Sequence, residues 1–127
     1  MITNDKTFWD IIKDINWVTV SRISDPIGKA RENLNHTLRK NKASIKSIEK
    51  TFQEIVSCIN KETKKRCTEG IEVFSPEVSH GADDCHFMDL PAHLIGLGRE
   101  EVLSYLNGGI INYTPIECLS YVFHGDN

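Results

Sequence analysis

The densest set of reactive side chains in this 127-residue chain is Asp83-Asp84-Cys85-His86, followed by Asp89 and His93. His86, Asp89 and His93 are spaced three and four apart. An unbroken helix would put them on one face, where imidazole and carboxylate together can ligate a divalent metal. Pro91 falls inside that interval and has no amide to donate, which works against such a helix. Neither H-E-x-x-H nor C-x-x-C occurs, and acids at a helix start have a structural use as complements to its dipole. No metal site and no cofactor are therefore assigned. Nucleophilic chemistry has less support still, since the chain has no G-x-S-x-G turn, P-loop or dinucleotide fingerprint. Gly96-Leu97-Gly98 lacks a preceding strand and reads as backbone punctuation. Cys85 and His93 supply nucleophile and base types without any motif to join them. The chain is expected not to be an enzyme.

Cys58, Cys67, Cys85 and Cys118 show none of the close pairings that a zinc knuckle or thioredoxin-type motif requires. The opening MITNDKTFWDIIKDIN is interrupted by Asp5, Asp10, Lys13 and Asp14, unlike a secretory signal. No run approaches the roughly 18 apolar residues of a membrane span. The expectation is a cytoplasmic protein with free, mostly buried thiols.

The elements that must position these groups are helical by periodicity. Phe8, Ile11, Ile12 and Ile15 share a stripe behind an Asp5 N-cap. Trp17-Val18-Thr19-Val20 is expected to leave that helix or run briefly extended, with Trp9 and Trp17 as core aromatics. Asp25-Pro26 reads as N-cap and first helical residue, opening a helix with Ile27, Ala30, Leu34 and Leu38 inward. Ser44 caps the clearest amphipathic segment, with Ile45, Ile48, Phe52, Ile55, Val56 and Ile59, running to about Lys65. Its closing cluster, Lys61-Glu62-Thr63-Lys64-Lys65-Arg66, is placed to complement the C-terminal dipole.

Residues 67–82 contain Gly70, Pro76 and Gly81 and are expected to form an irregular loop, with Ile71-Glu72-Val73-Phe74 as a short extended edge. Asp83 or Asp84 starts the next helix, with a break or restart near Pro91. Arg99 to Leu106 forms a short helix ended by Asn107-Gly108-Gly109. Thr114-Pro115-Ile116-Glu117 has capping-box spacing and would open a last one. The fold class is mainly α: a single compact bundle of about five to six helices, residues 1–127 forming one domain.

Net charge is unevenly distributed. Residues 1–70 carry 14 Lys+Arg and 9 Asp+Glu, whereas residues 71–127 carry Arg99 against nine acids, for a net −8. Such a half repels phosphates, so nucleic acid is excluded as its ligand. It suits a basic protein partner, for which complementary potential speeds encounter and enforces specificity.

Two segments are also familiar. Thr7-Phe8-Trp9-Asp10-Ile11-Ile12 resembles the F-W-x-x-I opening of a bacterial family called domain of unknown function 4240. Asp83 to Leu90, with Leu94-Ile95-Gly96-Leu97-Gly98-Arg99-Glu100, resembles that family's D-D-x-F-x-D-F-R-x-W-L-I-x-x-G-[KR]-E block. Glu117 to Val122 resembles its C-terminal segment with a Y-V pair. This chain has one extra residue between Asp84 and Phe87, and Pro91 and His93 occupy the family's Arg and Trp positions. The resemblance implies a small helical bacterial protein of no established catalytic activity, similar to the immunity factors found beside toxin genes. The expected partner is a cognate basic toxin of nuclease type, met by Glu72, Glu77, Asp83, Asp84 and Asp89. A regulatory adaptor and a small metal-dependent hydrolase built on His86, Asp89 and His93 are the alternatives. Neither nucleic acid nor a membrane is an expected partner.

Overall fold

The computed structural model describes residues 2–20, 22–79 and 84–115, with the side chains of Val18, Ser79, Asp84 and Cys85 outside the description. The described chain is mainly helical. Its elements are α1 (Lys6–Ile15), α2 (Trp17–Val20), α3 (Pro26–Asn41), α4 (Ile45–Glu69), α5 (Pro76–Ser79), α6 (Asp84–Leu97) and α7 (Arg99–Leu106). Two of these, α2 and α5, are single turns, leaving five longer helices around one hydrophobic core. The expected helix beyond Thr114-Pro115 lies outside the described residues.

Local sequence accounts for most boundaries. The Asp5 carboxylate accepts from the Thr7 and Phe8 amides and starts α1. Asp25 accepts from Gly28 with Pro26 behind it, and Ser44 accepts from Ser47, as the capping signals require. Asn16 adopts left-handed geometry (φ 58°) and ends α1, after which Trp17–Val20 re-enters a helical turn and does not run extended. Asn tolerates that conformation better than most residues, so one position separates two helical segments. The buried stripe of α4 is Ile48, Phe52, Ile55 and Ile59, while Ile45 at its start is exposed.

Two expectations need correction. The irregular stretch is shorter than residues 67–82, because α4 continues to Glu69 and stops at Gly70 with φ +72°. Ile71 then donates back to the Arg66 carbonyl, and Pro76–Ser79 forms a turn of helix. Helix α6 runs without a break through Pro91. A proline there leaves the Phe87 carbonyl without its usual amide donor, at a cost of about 3 kcal/mol. Tertiary packing offsets that cost: every residue from Leu90 to Gly96 is buried, and α6 packs against α1, α2, α4 and α7. The helix therefore has little amphipathic character, as expected where its second half is mostly apolar and covered on every side, although Met88 in its first half is exposed.

Close approach explains Gly96. A Cβ at this position would lie 2.5 Å from Cδ1 of Trp17, so the bare backbone of α6 is what admits the indole. Gly98, at φ +117°, makes the turn between α6 and α7. Polar contacts fix the outer helices. Thr37 donates to Asp14 at 2.8 Å and Asn33 to the Ile15 carbonyl at 3.0 Å, which joins α3 to α1.

Candidate partner-binding face

The acidic candidates lie on the chain from Glu72 to Asp89. Glu72 and Glu77 are exposed and Asp89 is half-buried; Asp83 and the side chain of Asp84 fall outside the described residues. The backbone bearing Glu72 and Glu77 is tied down. Phe74 forms a parallel bridge with Ile111, supported by 2.8 Å bonds from the Ser75 amide to the Ile111 carbonyl and from the Ile111 amide to the Val73 carbonyl. Val73 and Phe74 are buried, and the Phe74 ring meets Phe87 edge-on at 5.1 Å. Both faces of this extended stretch are covered at Val73 and Phe74, while Glu72 just before them stays in solvent.

Phe87, which the Phe74 ring meets, also lines a groove of about 420 Å³ between α4 and α6. Phe52, Val56, Phe87 and Pro91 make its apolar walls, and Gln53 and Asn60 its polar margin. Met88, also lining the groove, is 75% exposed. Its flexible thioether side chain is suited to adapting to a partner surface.

The candidate metal triad does not assemble. His93 is buried and accepts the Trp17 indole N–H at its Nδ1, 3.2 Å away. Accepting there requires an unprotonated Nδ1, so the neutral ring carries its proton on Nε2. His86 packs edge-on to Phe74 at 6.0 Å. Among the described residues no group of three or more His, Cys, Asp or Glu side chains is arranged to hold a metal ion. Trp17 is 1% exposed and belongs to the core.

The thiol expectation is half met. Cys58 and Cys67 are free, but Cys67 is exposed on the last turns of α4; the Cys85 side chain and Cys118 lie outside the described residues. No described helix is long and apolar enough to cross a membrane.

Arg66 departs most from its expected role. It is not a solvated cation at a helix end: it is 2% exposed, with Nε on the Glu62 carboxylate at 2.8 Å and Nη1 on the Gly109 carbonyl at 2.7 Å. Nη2 donates to the Tyr105 carbonyl, and the guanidinium lies 4.2 Å from the Tyr105 ring centroid. A weaker 3.5 Å contact reaches the Glu72 carbonyl. One side chain thus ties the end of α4 to both segments that form the Phe74–Ile111 bridge. The Glu62–Arg66 spacing of four was visible in sequence, but the remote carbonyls that receive the guanidinium were not.

Tyr113 completes this side of the molecule, its ring 5.6 Å from that of His93. Its hydroxyl is buried and has no hydrogen-bond partner among the described residues. Burial, helped by the nearby charge of Glu101, pushes this phenol up to about 12. Tyr105 is also raised, chiefly by burial, with a 2.7 Å hydrogen bond to Thr63 acting in the opposite direction. Comparison of the chain with family models, curated proteins and solved structures finds no match.

Proposed function

We propose that this chain is an immunity-type protein that binds and neutralises a basic toxin, of nuclease type, without chemistry of its own. The observation that carries the proposal is acid without base on an anchored segment: residues 71–127 contain nine acids and one Lys or Arg, and Glu72 and Glu77 are exposed on backbone held by Phe74 and Arg66. Acids on a fixed backbone lose less freedom when a partner's cations reach them. The groove between α4 and α6 would supply an apolar contact through Met88, so that charge selects and steers while the groove excludes water. Occupation of the partner's basic substrate groove would then block its substrate. Acids at the rim should act mainly on association rate, because burial of any one of them without a cation costs several kcal/mol.

The test is co-purification of the tagged chain from its host, followed by binding kinetics with whatever is recovered. A basic nuclease in equimolar amount, inhibited by the purified chain, is the expected result. Glu72→Lys with Glu77→Lys should slow association at low salt and leave the fold intact. A partner that is not basic, or an association rate unchanged by the double reversal, refutes the proposal. Recovery of a metabolic or regulatory protein would replace it with the adaptor reading.

A further inference from the structure

On the side of the bundle formed by α1, α2 and the α6–α7 turn lies a second cavity, of about 400 Å³. Trp9 and Leu97 give it half-buried apolar walls, the buried Ile12, Trp17 and Gly96 form its floor, and Gly98 leaves bare backbone at its margin. Both indole N–H groups are already used inside the protein, Trp9 on the Thr3 carbonyl at 2.9 Å and Trp17 on His93. The half-buried Trp9 therefore offers a ligand ring surface and no donor, while Trp17, buried in the core, closes the floor of the cavity.

The charged groups of the cavity are of unequal standing. Asp10 is engaged by Lys6 at 3.0 Å. Among the described residues Lys13 and Arg99 form no ion pair, and Arg99 uses only Nε, on the Thr3 carbonyl at 3.1 Å, with neither Nη in a hydrogen bond. Arg99 is also the one Lys or Arg in residues 71–127. In a strongly acidic half of the chain, the single cation stands at an aromatic cavity, joined there by a second cation from α1. The volume, the apolar walls and a few convergent donors are those of a small-molecule site.

From this geometry we infer that the cavity binds a flat aromatic carboxylate, its ring between Trp9 and Leu97 over the floor that Trp17 closes, and its carboxylate on Arg99 and Lys13. A guanidinium with two Nη groups pairs with a carboxylate in a fixed geometry, and an ammonium adds a second point charge. The inference does not depend on the partner-binding proposal, which concerns a different face.

The chain has two tryptophans, so its indole N–H region contains two signals that report directly on this cavity. Titration of labelled protein with 2-naphthoate should move both signals saturably, with a dissociation constant below about 1 mM. The neutral 2-naphthamide should bind at least about tenfold more weakly, and Lys13→Gln and Arg99→Gln should each weaken naphthoate binding by about the same factor. Lys13 is exposed and its variant is not expected to disturb folding, which keeps the test valid if Arg99→Gln loosens the Thr3 contact. Absence of saturable shifts, equal binding of acid and amide, or wild-type affinity in Lys13→Gln would each overturn the inference.

Discussion

Replacement of Arg66 by Met tests the account of how the acidic segment is held. Met preserves much of the side-chain volume and removes every polar contact. Three losses follow. The Glu62 carboxylate, 19% exposed, loses its 2.8 Å cation and stays mostly desolvated. Because some water still reaches Glu62, this costs about 2 kcal/mol, below the roughly 3–5 kcal/mol for breaking a fully buried pair. The Gly109 carbonyl loses its 2.7 Å donor, for about 1 kcal/mol. The Tyr105 carbonyl suffers less, since the Gly108 amide still donates to it at 3.0 Å. Loss of the guanidinium from the Tyr105 ring adds about 1 kcal/mol. Together the expected loss is about 4 kcal/mol, a large fraction of the stability of a domain this size.

Urea unfolding followed by circular dichroism should show the loss as a lower midpoint with an unchanged slope. In a heating experiment it corresponds to a Tm lower by about 15 °C. If the stranded charge of Glu62 is the largest part, Glu62→Gln should recover about 1–2 kcal/mol in the Met background while destabilising the parent. Arg66→Lys should fall between parent and Met, because an ammonium cannot reproduce the planar fork. A Met variant within about 1 kcal/mol of the parent would refute the reasoning, since no loss of a working buried pair is that small. So would an Arg66→Met cost that is indifferent to Glu62→Gln.

Three further outcomes follow from the core. Gly96→Ala should destabilise by about 1–3 kcal/mol and shift the Trp17 emission, because the new methyl meets the indole at 2.5 Å; a gain in stability, as helix propensity alone would give, would contradict the close packing. Tyr113, held at about 12 in the fold and near 10 when unfolded, keeps its proton more tightly in the folded state, so its contribution is full below pH 10 and is lost as pH rises toward 12. Tyr113→Phe should remove the late phase of an ultraviolet alkaline titration and flatten the fall in stability over that window; an unchanged late phase would assign it elsewhere. His93 should show the Nε2–H tautomer in nitrogen-detected NMR, and a proton found on Nδ1 would break the assignment of Trp17 as its donor.

The parts of this fold that were readable from sequence are those governed by neighbours within about one turn. Asp5, Asp25 and Ser44 cap helices because their carboxylate or hydroxyl reaches amides two or three residues ahead. The stripe Ile48, Phe52, Ile55 and Ile59 is buried because periodicity alone puts it on one face. The misreadings have the opposite character. Proline normally ends a helix, but Pro91 sits where four other helices cover α6, and no local signal reports that. Cys67 reads as the start of an irregular loop, but α4 runs past Lys65 to Glu69 and Gly70 sets its end. Arg66 looked like a surface cation because the carbonyls of Tyr105 and Gly109, about forty residues away, do not appear in any local pattern.

The burial of Leu90 to Gly96 also restricts where this protein can meet another molecule. His93 is consumed by Trp17, and Gly96 by the same indole, so the C-terminal half of α6 cannot change its side chains freely without moving α1, α2, α4 or α7. The exposed positions Met88, Glu72 and Glu77 carry no such burden. A binder whose specificity must track a particular partner needs positions that vary without unfolding the scaffold. Anchors at Phe74 and Arg66 allow that separation, fixing the backbone from inside while leaving the outward carboxylates free to change. Charge reversal at Glu72 and Glu77 should therefore alter association and leave the urea midpoint within about 0.5 kcal/mol of the parent, as expected for surface positions. A larger loss would mean that these carboxylates support the fold, and the division between scaffold and contact surface would fail.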